Sequence, residues 1–148
     1  MYKTYLRSKF DPNKISNITN HGINKPFGGL WGCRGDEWKD WCETEDFRKV
    51  ENPFYWELTE DANVLEIRTA EDFNDVVKRF RIRTVMDIDC IDWETISKQY
   101  DGVEVFSQAL YETSLSRDFS DTIFLIGLSS WDIPSICVWN ADKIKLME

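Results

Sequence analysis

"NKPFGGLWGC", residues Asn24 to Cys33, is the stretch on which the reading of this chain turns. A proline is followed by Gly28 and Gly29, then by Leu30, Trp31, Gly32 and Cys33. Glycine inside a strand weakens it, because it packs no side chain and loses much backbone freedom on ordering. A tight turn into a core strand accounts for part of this string. Two glycines plus a third at Gly32 ask for more, and a backbone that comes close to a ligand would supply it. Trp31 then stands either as a stacking surface for a flat ring or as a buried core tryptophan.

Upstream, "YKTYLR" alternates like a strand, with Tyr2, Thr4 and Leu6 on one side. "DPNKISNIT" reads as a short helix capped by Asp11, with Pro12 at its first position and Ile15 and Ile18 turned inward. Downstream, Asp36 is placed to cap a helix carrying Trp38, Trp41 and Cys42 along one face. "PFYWELT" and "NVLEIR" follow as strands around the turn-prone "EDAN". "TAEDFNDVVKRF" is the clearest helix. Thr69 and Asp72 have capping-box spacing, and Phe73, Val76, Val77 and Phe80 recur at i, i+3, i+4 and i+7. "IDWETISKQ" makes a second amphipathic helix with Asp92 as its cap, running into the strand of "YDGVEVF". "TIFLIG", "SICVWN" and "KIKLM" complete the strands, with "LSSWDIP" as a loop; Pro134 belongs at a strand start or edge. The sum is an α+β single domain over residues 1–148, without the βαβ rhythm of Rossmann or TIM-barrel folds.

The chain has 148 residues, 14% of them aromatic with seven tryptophans, and a net charge of −9. That charge repels phosphate backbones and argues against general nucleic-acid binding. The four cysteines (Cys33, Cys42, Cys90, Cys137) form no CxxC pair, and His21 is the only histidine, so zinc spacing is lacking and no metal is expected. No apolar run approaches membrane-spanning length, and a cytoplasmic setting with free thiols is the economical expectation. Neither GxGxxG nor GxxxxGK[ST] occurs, nor GxSxG or HExxH. A Cys33–His21 nucleophile pair is conceivable, but no feature of the sequence requires the two to meet.

In order along the chain, "YKTYLRSKF", "DPNKISNI", "KPFGGLWGC", "IDWETISKQYDGVEV" and "WDIPSICVWNADKIKLM" resemble the segments of small ADP-ribosyltransferases of bacterial toxins and phages, anti-CRISPR members included. The likeness spans both ends and leaves about residues 45 to 90 as generic scaffold. It implies a split, mixed β-core with short helices that binds NAD in a cleft without a Rossmann fingerprint. Carried over, Arg7 orients NAD from the first strand, and Gly28, Gly29, Leu30, Trp31 and Gly32 form the nicotinamide-facing wall. The resemblance also implies an acid near a late strand, where this chain has Pro134 and Ser135. Asp132 is the nearest carboxylate and the favoured one, Glu104 is the other within reach, and Glu112, in the loop after "YDGVEV", is a distant third. A carboxylate there stabilises the cationic ribose of the transition state more than the ground state.

The expected function is therefore mono-ADP-ribosyl transfer from NAD, as substrate, to a protein or other macromolecular acceptor. The alternative is a non-catalytic inhibitor or binding protein on the same scaffold, engaging its target through an acidic, tryptophan-rich surface. A homodimer is compatible with either.

Overall fold

The computed structural model describes residues 1–5, 9–20, 24–47, 49, 52–83, 89–115, 128 and 130–147. Arg7, His21 and "TIFLIG" lie outside these residues. The architecture is α+β, with one mixed and two antiparallel sheets and four α-helices among the described residues.

Two sheets carry the fold. One is antiparallel, with β1 (Tyr2–Thr4), β3 (Phe54–Leu58) and β9 (Ile144–Leu146) in the order β1-β3-β9. The other contains β2 (Leu30–Gly32), β4 (Val64–Ile67), β7 (Gly102–Val105) and β8 (Ser135–Val138) in the order β2-β8-β7-β4. Within it β4 and β7 run parallel, while β7–β8 and β2–β8 are antiparallel. Parallel strands need a long crossover. Here it holds α2 (Ala70–Arg79), a hairpin of β5 (Arg81–Arg83) and β6 (Asp89–Ile91), and α3 (Trp93–Gln99).

Strand alternation gives the second sheet two buried faces. Leu65, Ile67, Val103, Val105 and Cys137 pack with Phe73, Val76 and Val77 of α2 and Trp93 and Ile96 of α3. Ile136, Val138 and Leu30 turn the other way, onto Tyr2 and Trp56 of the first sheet. Tyr2 and Trp56 are register partners with stacked rings, their centroids 4.8 Å apart. The sheets also join through a bridge between Lys3 and Cys33, its two N–H···O bonds measuring 2.7 and 3.0 Å.

The local signals translate directly at several places. Thr69 and Asp72 form a reciprocal capping box, and Phe73, Val76, Val77 and Phe80 are buried. Asp92 caps α3 through Thr95. Pro134 immediately precedes β8.

Four readings change. "DPNKISNIT" forms only one 3₁₀ turn over Pro12–Lys14, capped by Asp11. Asp36 precedes α1 (Glu37–Thr44) but makes no side-chain cap, because its carboxylate binds the Lys3 ammonium at 2.8 Å. Glu112 lies on a helix, α4 (Ser107–Leu115), rather than in a loop; Ala109 alone is buried there, so no apolar stripe announces it. The middle of the chain, taken as generic scaffold, holds the hairpin in which Arg81 and Arg83 grip the Asp89 carboxylate.

Candidate functional site

A cavity of about 350 Å³ opens beside β2, the edge strand of the second sheet, where β1 crosses it. Its walls include Lys3, Thr4 and Tyr5 from β1 and the residue after it, Gly29 to Cys33 around β2, and Trp38 from α1. Trp131, Asp132, Ile133 and Ser135 enter from the approach to β8. The size falls within the range of about 300–1,000 Å³ usual for small-molecule sites. Gly29, Leu30, Trp31, Gly32 and Asp132 thus meet in one cleft, although they come from opposite ends of the chain.

The indoles are held from behind. Trp31 donates through Nε1 to the Gly28 carbonyl at 2.9 Å, and its own carbonyl accepts from the Thr4 hydroxyl at 2.7 Å. Trp56 Nε1 donates in turn to that hydroxyl at 2.8 Å, so a hydrogen-bonded chain runs from the first sheet to the cleft wall. Trp131 Nε1 donates to the Asn24 carbonyl at 2.7 Å, and the Trp31 and Trp131 rings lie 5.0 Å apart, tilted by 55°. A buried indole that satisfies its N–H offers a fixed apolar face.

Two cations line the same space. Lys25 Nζ lies over the Trp31 ring, 4.9 Å from its centroid, at ordinary cation–π distance. Lys3 lies beside Asp36, whose carboxylate raises the ammonium's pKa. Asp132 is exposed and makes no hydrogen bond or ion pair with the described residues. Lys3, Lys25 and Trp131 were not singled out from the sequence; Lys25 inside "NKPFGG" and Trp131 beside Asp132 were the available signals.

The glycines have a cause other than ligand approach. Gly28 has φ +112° and Gly29 φ +71°, backbone that side-chain-bearing residues rarely adopt. A Cβ on Gly28 would stand 2.5 Å from the Asn17 carbonyl oxygen, and one on Gly29 would stand 2.6 Å from Cys137 Sγ. At Gly32 it would meet Trp56 Cζ2 at 2.9 Å. The protein's own packing therefore requires all three. Gly28 is not among the cavity-lining residues.

Glu104 is on the opposite face of the second sheet from Val103 and Val105, and it does not line the cavity. Its buried carboxylate accepts from the Tyr2 hydroxyl at 2.6 Å, Arg34 Nε at 2.7 Å and Arg34 Nη2 at 3.0 Å. Burial and this carboxylate push the Tyr2 phenol pKa upward. The charge raises that of Arg34 as well, chiefly through the hydrogen bond. The trio clasps β1 to β7, tying the two sheets together.

Glu112 accepts the Ala70 backbone N–H at 2.9 Å, satisfying an orphan donor at the start of α2 and lowering its own pKa. Cys33 is buried and bonds the Gly35 carbonyl at 3.4 Å; burial raises its thiol pKa, which disfavours a thiolate nucleophile. Among the described residues no group of three or more His, Cys, Asp or Glu is placed to hold a metal ion, and no helix is long and apolar enough to cross a membrane.

Comparison of the chain with protein families, curated proteins and solved structures found no significant match.

Proposed function

We propose that the protein is a mono-ADP-ribosyltransferase of split-β, ADP-ribosyltransferase-like architecture. NAD is its donor substrate, and Asp132 is its transition-state carboxylate. The observation that carries this reading is the cleft in which Gly29–Gly32, Trp31, Trp131 and Asp132 converge. The residues fit the donor. Indole faces suit a flat nicotinamide ring, the Lys3 and Lys25 ammoniums suit a diphosphate, and Asp132 lines the same cavity. A nicotinamide that stacks on Trp31 takes the place of the Lys25 ammonium over that ring.

In the reaction the C1′–N bond breaks and its electron pair stays on nicotinamide, which leaves neutral. The ribose gains positive charge, which a nearby carboxylate stabilises more in the transition state than in the ground state. The acceptor's nucleophilic atom then bonds to C1′ and gives up its proton to solvent. Glu104 is assigned no chemical step, because it is buried outside the cleft and its carboxylate is held by Arg34 and Tyr2.

The test is nicotinamide release and label transfer from NAD, comparing the wild type with Asp132→Asn. Loss of about a hundredfold or more in turnover, at unchanged unfolding midpoint, is expected. Absence of NAD binding by calorimetry overturns the proposal. One observation favours a second reading, a non-catalytic binding protein: Asp132 is exposed, whereas the buried carboxylate Glu104 is engaged elsewhere. NAD bound without turnover would select it.

A further inference from the structure

Next to the cleft, α1 presents an aromatic surface that the cleft chemistry does not use. Trp38 and Trp41 stack with centroids 5.2 Å apart and planes within 12°. Phe47 closes against both, at 6.0 and 5.3 Å, and is 59% exposed. Trp38 also lines the cavity, so this surface and the cleft are continuous. Tyr5 and Cys42 anchor the cluster from beneath. On α1 and the turn after it, Glu37, Asp40, Glu43, Glu45 and Asp46 outnumber Lys39, with Lys49 the next described cation along the chain. Asp40, Glu43, Glu45 and Asp46 are all exposed. Aromatic faces on an acidic helix attract organic cations twice over, through the ring quadrupole and through charge.

From this we infer that α1 docks a basic, arginine- or lysine-rich segment of the acceptor protein and delivers it to the cleft at Trp38. The inference rests on the transferase reading for its purpose, and on the charge complementarity of α1 for its occupant. Arginine suits the surface best, since its planar guanidinium both stacks on indole and pairs with carboxylate.

The experiment uses the full chain, an arginine-rich peptide and a glutamine-substituted peptide of equal length, followed by tryptophan fluorescence and calorimetry. The arginine peptide is expected to bind, more weakly as salt rises, and the glutamine peptide is not. Replacing Asp40→Lys together with Glu45→Lys, both exposed, should weaken the arginine peptide by about tenfold or more. The matched reversal Glu60→Lys with Asp142→Lys, also exposed but away from α1, should leave binding within about twofold. Calorimetry with NAD reports the cleft separately and should be unchanged in both variants. Equal weakening by the two reversals, or equal binding of the two peptides, overturns the assignment. Peptide binding through α1 by a protein that does not bind NAD supports the docking surface and overturns the transferase reading.

Discussion

Removing the Arg34 side chain tests whether Glu104 belongs to the architecture or to the chemistry. In Arg34→Ala the buried Glu104 carboxylate keeps the Tyr2 hydroxyl but loses two charge-assisted hydrogen bonds, of 2.7 and 3.0 Å. Each is worth about 1.5–3 kcal/mol where water is excluded, and breaking a fully buried pair costs about 3–5 kcal/mol. The Arg34 side chain is 54% exposed, however, so solvent screens the pair and reaches the carboxylate once the guanidinium has gone. The cost should therefore fall to about 2–3 kcal/mol. Urea unfolding should show this as a midpoint lowered by roughly 0.7–3 M, for a slope of about 1–3 kcal/mol/M. Glu104→Gln keeps the shape and one acceptor oxygen but faces Arg34 with an amide N–H, so it should be destabilised in the same direction. Both variants should retain nicotinamide release when assayed well below their midpoints. An unmoved midpoint in Arg34→Ala would refute the clasp. Loss of turnover in Glu104→Gln at wild-type stability would return Glu104 to the chemistry.

Two further outcomes follow from local geometry. Gly28→Ala should be destabilised by about 2 kcal/mol or more, since it forces a side chain into φ +112° and against the Asn17 carbonyl; a thermal midpoint equal to wild type would contradict this. Asp92 is governed first by burial, which raises its pKa, but hydrogen bonds from Thr95 and Asn20 outweigh it and leave the pKa lowered. Its ionised form therefore stabilises the fold above the unfolded value of about 3.9, and that stability drains away as pH falls through the lower folded value. Asp92→Asn keeps a good cap, so its midpoint gap from wild type should be constant near about pH 6 and should shrink below about pH 4. A gap that is independent of pH would contradict the assignment.

Much of the fold was legible because its signals are local. The Thr69–Asp72 box, the stripe from Phe73 to Phe80 and the Asp92 cap each close within one or two helical turns, so the chemistry needed to read them lies in adjacent residues. The short strands read for the same reason: alternation shows in the next residue but one. α4 escaped notice because its single buried side chain is Ala109, and the β5–β6 pair because its defining contact joins Arg81 and Arg83 to Asp89 on the neighbouring strand.

The candidate site divides along the same line. The resemblance, rather than any local signal, brought Leu30 to Gly32 and Asp132 forward, and these residues line one cleft. Sequence could not say why Gly28, Gly29 and Gly32 are glycines, because the atoms they avoid belong to Asn17, Cys137 and Trp56. Nor could it settle between the two carboxylates, since Asp132 is preferred only for standing nearest Pro134 and Ser135. Glu104 and Asp132 look alike in one dimension, since abundance dilutes any single acid. Glu104 meets Tyr2 across 102 residues and Arg34 across 70, while Asp132 stays exposed at the cleft. A carboxylate's role depends on which donors reach it and how far water is excluded, and both are properties of the packed sheets. The sequence alone determined which segments order themselves; sheet pairing decided which acid is left open at the cleft.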